Sequence, residues 1–391
     1  AIAEKTGHGG GADDGGEHAL LPLVGILSGV FFPFMGPYVS LERQNIASQI
    51  AGAVADDELD DRGESPVYAS SINLFVYIKN SINRCCALTT GQVFFNLYKE
   101  YRDALTAYSK ALMAKMPQPY VSSTAMLSNQ LSGNAAPAAA NPKTANYRVP
   151  AGEEVTVCNV INTCEYAVDT IEPLEELIKD KIDETYEETV DLMDSQDEFN
   201  DVTTVAIRIL ISGLESRLEP FFKELTSTNW SAFSEVGEES QYAQSICGVI
   251  EPYFTSCSKV LPNLYYRNVC DKFARGFVSA FMAAVSKGKR YSDVSTQQLL
   301  LDSYMMKSLL LSLPTLAGGV APNMYVRDVT KDMGNIELLL KLVGTPVEML
   351  VEVFRQQKPD GTLKDLSQIM TMKGMKRPQQ TELLEAFGGK G

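Results

Sequence analysis

The chain has 391 residues, of which 45% are hydrophobic, enough for two or three globular units of ordinary size. Its formal net charge of -15 and pI near 4.7 repel phosphate backbones, so nucleic-acid binding would need a basic face that the totals do not suggest. The two histidines, His8 and His18, both lie in a glycine-rich opening, which leaves no folded Ser-His-Asp, Cys-His or histidine-metal site.

Residues Ala1 to His18 read as a flexible segment. Gly7-His8-Gly9-Gly10-Gly11 is half of a dinucleotide fingerprint, but no strand precedes it and no acidic βαβ partner follows. With neither a basic start nor an apolar run, Ala1 to Glu17 is not a signal peptide, and the expectation is a fragment of a longer chain. Ala19 to Leu41 carries no charge over 23 residues, long enough for a bilayer. Pro22, Gly25, Gly29, Pro33, Gly36 and Pro37 would interrupt a single span. The expectation is two short core helices broken near Pro33 and Pro37.

Helices are predicted over Ser71 to Ala87 and Val93 to Met116. In the second, Phe94, Leu97, Tyr98, Tyr101, Leu105, Tyr108 and Leu112 recur on one face, as a buried stripe does. Pro117 to Pro150, rich in Pro, Ala, Ser and Asn, reads as a linker or inserted loop. Glu153 to Ile182 is helical, interrupted by Pro173, and overlaps an acidic belt from Glu165 to Asp201. That belt lacks the Asp/Asn alternation and central Gly of a calcium loop, so it reads as a solvated face and connector. Adjacent acids such as Glu187 and Glu188 point in different directions on a helix and share no proton.

Next comes a helix with two apolar faces, one on Val202, Val205, Ala206, Ile209, Leu210 and Gly213, the other on Ile207, Ile211, Leu214 and Leu218. It is expected to lie between neighbours. Tyr242 to Val260 and Leu264 to Val285 suggest an antiparallel helical hairpin. Gln297 to Pro314, apolar on nearly every side, is expected to be the most buried helix, with later helices packed around it. Those are Val326 to Val343, Pro346 to Gln357, Leu363 to Met372 and Pro378 to Phe387. Between the first two, Gly344 is expected to end a helix left-handed, with Thr345, Pro346 and Glu348 starting the next as a capping box.

No β-alternation of useful length stands out, so the fold class expected is all-α, an elongated stack of helical bundles. The divisions expected are residues 1–18 flexible, 19–116 a bundle, 117–150 a linker or loop, 151–290 a bundle and 291–391 a C-terminal bundle. Seven scattered cysteines without a C-x-x-C pair read as reduced, mostly buried thiols.

LLLDSYMMKSLLLSLP at Leu299 to Pro314, KDMGNIELLLKLVGTPVEMLVEVF after it and MTMKGMKR at Met370 to Arg377 resemble the C-terminal region of the vacuolar protein sorting-associated protein 53 family. INLFVYIKNSINRCCALTTG at Ile72 to Gly91 and VINTCEYAV at Val160 to Val168 resemble the same family's middle region. The resemblance implies a non-enzymatic subunit, without cofactor, of the Golgi-associated retrograde protein and endosome-associated recycling complexes. Such helical-rod tethers capture endosome-derived carriers at the trans-Golgi network, on its cytosolic face, and promote SNARE assembly. Sister subunits are the implied partners, held mainly by an N-terminal coiled coil absent here, with SNAREs, small GTPases and a peripheral membrane contact beside them. The alternatives are a sister tether such as exocyst, and a helical GTPase-activating regulator using Arg275 as a finger.

Two basic clusters interrupt the acidic background: Lys287, Lys289 and Arg290, and Lys373, Lys376 and Arg377. Each follows a predicted helix, where cations cap the dipole or, alternatively, meet anionic lipid or an acidic partner. Asp302, Ser303 and Lys307 break the apolar run and must reach solvent or a polar partner. The expectation is that these three share one exposed face of the C-terminal bundle with Lys373, Lys376 and Arg377.

Overall fold

A computed structural model describes residues 30–55, 57–120 and 141–388; the glycine-rich opening and residues 121–140 lie outside them. The fold is all-α. A three-residue turn of 3-10 helix at Phe32–Phe34 leads into α1 (Met35–Ala55), and a two-residue antiparallel pair, β1 (Leu59–Asp60) with β2 (Val67–Tyr68), is the sheet content of the described residues. Then follow α2 (Ala69–Cys86), α3 (Gln92–Ala114), α4 (Glu153–Lys181), the single turn α5 (Glu184–Glu187) and α6 (Met193–Ser227). After a bend around Trp230 come α7 (Gln241–Ser258), α8 (Asn263–Lys287), α9 (Asp293–Ser312), α10 (Asn323–Gly344), α11 (Leu350–Gln357), α12 (Leu363–Met372) and α13 (Arg377–Gly388).

The periodic stripes behave as their spacing demands. Phe94, Leu97, Tyr98, Tyr101, Leu105, Tyr108 and Leu112 are all buried on the inner face of α3. Both apolar faces of α6 are buried too, because this helix of 35 residues, about 52 Å long at 1.5 Å per residue, has neighbours on several sides. It packs against α3, α4, α7 and α8. Pro173 does not interrupt α4. The carbonyl it leaves unpaired belongs to Asp169, an exposed residue, so water can take the lost bond.

Several expectations are corrected. Within the described part of the chargeless run, Pro37 sits in the first turn of α1, where proline is tolerated, and the rings of Phe31 and Phe34 are 61% and 68% exposed. Phe31 and Phe34 are therefore not core, whereas Met35, Tyr38 and Val39 pack against it; residues 19–29 of the run lie outside the described residues. No helix among the described residues is long and apolar enough to cross a membrane. The end of the presumed linker is packed: Ala145, Tyr147 and Val149 alternate with exposed Asn146 and Arg148, and the Tyr147 N–H donates to Ser212 Oγ at 2.8 Å. Residues 145–149 thus lie extended along α6, which is why position 213 is glycine: a Cβ there would stand 2.3 Å from Val149 Cγ2.

The helix expected to be central, α9, is covered on one side only. Leu299, Met306 and Leu310 are buried, but Tyr304 is 47% exposed and Leu300, Leu301, Met305, Leu309 and Leu311 are half-buried. α10 does pack along it; α4 and α6 are more deeply enclosed. α7 and α8 lean on α6 more than on each other, so the expected hairpin is open. Gly344 is not left-handed, and no side chain caps the turn after Pro346. Gly344 instead makes room for Thr296, whose Oγ1 would lie 2.6 Å from an added Cβ. The capping boxes are Ser292 with Ser295 at the start of α9 and Thr362 with Asp365 at the start of α12. All seven cysteines are free thiols, six of them buried.

Candidate functional site: a basic edge where three helices end

The two basic clusters, more than eighty residues apart in sequence, meet in space. α8 ends at Lys287, and Tyr291 folds back so that its hydroxyl donates to Val285 O at 2.8 Å, capping the helix. The ring occupies the space over Gly288, where a Cβ would fall 1.8 Å from the tyrosine oxygen. Arg290 then adopts φ 60°, a left-handed conformation that costs a non-glycine residue about 1–2 kcal/mol. From there the Tyr291 N–H donates to Met372 O at 3.1 Å, which pins the loop to the end of α12.

α12 itself ends in a Schellman motif. The Gly374 N–H donates to Thr371 O and the Met375 N–H to Met370 O, with Gly374 at φ 74°. Glycine is required there twice over, because a Cβ would also lie 2.7 Å from Arg290 Cγ. The preceding Lys373 reaches a third helix end: its ammonium donates to Val343 O at 2.6 Å and Thr345 O at 2.7 Å, closing the C-terminus of α10. Burial pushes the Lys373 ammonium below its ordinary value of 10.5, with Asp293 and Glu348 pulling the other way.

Three helix C-termini thus converge, and Lys373 is the cation that caps one of them. Lys287, Lys289, Arg290, Lys376 and Arg377 are exposed, and among the described residues none of these side chains has an ion pair or hydrogen bond. Beside this edge, α6 and α8 bound an open groove of about 910 Å³ lined by Phe222, Phe277, Ala280 and Ala284, with Glu215, Glu219, Lys223 and Lys287 also in its lining.

The remaining expected site residues are elsewhere. Asp302 is 0% exposed and accepts hydrogen bonds from the Ser240 N–H at 2.8 Å, the Tyr242 hydroxyl at 2.7 Å and Gln298 Nε2 at 3.3 Å. Burial, reinforced by the Asp302 carboxylate, raises the Tyr242 phenol well above its ordinary value of 10.0, so it stays a donor. Ser303 is equally buried and donates to Leu299 O of its own helix. Lys307 pairs with Glu337 of α10 at 2.9 Å. These three therefore do not share an exposed face with the basic residues: the polar side of α9 is turned inward to hold the 237–242 segment and α10. Arg275 pairs with Asp271 one turn earlier on α8. The residue that sequence reasoning passed over is Gly374, although a glycine just past a periodic helix is a readable stop signal.

The profile of the exocyst complex component Sec6 family matches residues 83–375, a span that holds the groove, the 287–290 loop and Lys373. The chain belongs to the Sec6 family. Among sequence relatives, vacuolar protein sorting-associated protein 53 A of Arabidopsis thaliana is 30% identical over 370 residues, which is 94% of this chain and 43% of that protein. The vacuolar protein sorting-associated protein 53 homolog of Caenorhabditis elegans is 22% identical over 92% of this chain and 46% of its own length. The chain thus spans under half the length of these curated relatives. Among solved structures, the C-terminal domain of the exocyst subunit Sec6p superposes with a TM-score of 0.58 at 14% identity, covering 97% of this chain and 92% of that domain. M-Sec gives 0.50 at 13% identity over 94% of this chain and 56% of its own. The Sec6-family fold and the expected kinship with vacuolar protein sorting-associated protein 53 therefore hold together in one chain.

Proposed function

We propose that this chain is the C-terminal helical part of a non-enzymatic subunit of a multisubunit vesicle tethering complex. Its work is retrograde transport from endosomes to the trans-Golgi network, where it promotes carrier capture and SNARE-dependent fusion from the cytosolic face as a peripheral component. The observation that carries this reading is the match to vacuolar protein sorting-associated protein 53 A along 94% of the chain. The Sec6-family match supports it, since that family is described as an exocyst complex component. Sister subunits are the expected stable partners, with SNAREs and small GTPases as transient ones.

A second reading, a subunit of exocyst itself, draws on the Sec6 profile and the Sec6p structure. Affinity purification of the full-length protein, with partners identified by mass spectrometry, separates the two. Recovery of the sister subunits of the Golgi-associated retrograde protein or endosome-associated recycling complex is expected. Recovery of exocyst subunits in their place would establish the second reading.

A further inference from the structure

The two basic clusters would be unremarkable apart, since each follows a helix and each could be a cap. Together they form something a cap does not require. Only Lys373 engages helix carbonyls, while Lys287, Lys289, Arg290, Lys376 and Arg377 are left exposed with neither an ion pair nor a side-chain hydrogen bond among the described residues. Five uncompensated cations on one edge run against a chain whose net charge is -15. Asp293 and Glu348 act on the half-buried Lys373.

The platform under them is built. Gly288 lets the Tyr291 ring fold over the backbone, Tyr291 ties the loop to Met372, and Gly374 admits Arg290 in its strained conformation. Strain held in place by neighbouring packing on both sides points to a position with a use. We propose that this joined edge docks on an anionic membrane surface, through lipid headgroups, and that it is the membrane contact of this subunit. The form of the edge favours a membrane over a single phosphate group. A single bound phosphate is held by donors converging on it, whereas these five exposed side chains are spread over the end of α8, the loop after it and the start of α13 just past the end of α12. An extended anionic surface needs only their summed charge, each Lys or Arg adding its own increment of attraction. The inference rests on the tether reading only for which membrane is met.

The test is flotation of the purified chain with vesicles of equal parts phosphatidylserine and phosphatidylcholine, compared with phosphatidylcholine alone. Binding to the mixed vesicles and not to the neutral ones is expected. Lys289→Gln, Lys376→Gln and Arg377→Gln together should lower partitioning about a hundredfold, the product of three surface cations. A control with the same change of net charge, Lys79→Gln, Lys110→Gln and Lys331→Gln, removes exposed lysines away from the edge and should leave partitioning near that of the parent chain. Helix content by circular dichroism should be the same in all three proteins.

Absence of flotation, or equal loss in both triple variants, overturns the proposal. So does unchanged flotation of the edge variant; if that variant also loses a co-purifying protein, the edge is a protein contact instead. The vesicle result stands apart from the partner purification: recovering the wrong complex would defeat the tether assignment without touching the flotation outcome.

Discussion

Asp302 shows how a charged residue in an apolar helix can mislead. A carboxylate in the middle of a leucine-rich run must find water or donors, and it found three donors inside the protein. Its work is structural: it holds the start of α7, through Ser240 and Tyr242, against α9. Asp302→Ala would leave the Tyr242 hydroxyl and the Ser240 N–H buried without their acceptor, at a cost of about 3 kcal/mol. Urea unfolding monitored by circular dichroism should show that loss as a lower midpoint, with vesicle flotation of the folded variant unchanged. A stable Asp302→Ala protein that had lost flotation would restore Asp302 to the functional surface. The sequence made the need for a partner legible, but not its source, because Ser240 and Tyr242 are some sixty residues away and reach Asp302 only after α7 has docked.

At the scale of elements, the legible features were those written in local spacing. The α3 stripe, the two-faced α6 and the succession of helices from α7 to α13 follow from apolar periodicity, which depends on nothing beyond a few turns. What composition could not specify was coverage. α9 has enough leucine to be surrounded, yet neighbours enclose only one side of it. The Ala145, Tyr147, Val149 alternation was readable but short, and it lies on a helix instead of pairing in a sheet. The basic edge was half legible: both clusters were visible, and their union was not, because it depends on the ends of α8 and α12 docking together. Gly374 is the hinge of that union. Gly374→Ala forces a side chain into a left-handed position and against Arg290, and should destabilise the chain by about 1–2 kcal/mol. Thermal unfolding measures this directly; a neutral substitution would mean that the 287–290 loop is not held by α12.

For the whole molecule, the decisive question is whether the helices of the middle and of the C-terminal part move as one body. One continuous buried cluster runs from Ile46 to Met372, and the lone tryptophan sits at its crossing point. Trp230 donates from Nε1 to Leu225 O at the end of α6, and its ring packs against Phe233, against Tyr242 at the start of α7, and against Tyr291 between α8 and α9. The C-terminal ends of α6 and α8 both arrive there, so these helices run parallel and any parting of the two regions must disturb that ring. Trp230 is therefore a built-in reporter of the joint, while circular dichroism reports the helices on either side. If the shared core makes unfolding cooperative, the tryptophan fluorescence and the helical signal should change at the same denaturant midpoint. An earlier fluorescence transition would show the joint opening while the helices remain, and the chain would then be two hinged bodies, with the basic edge free to swing relative to α3 and α4.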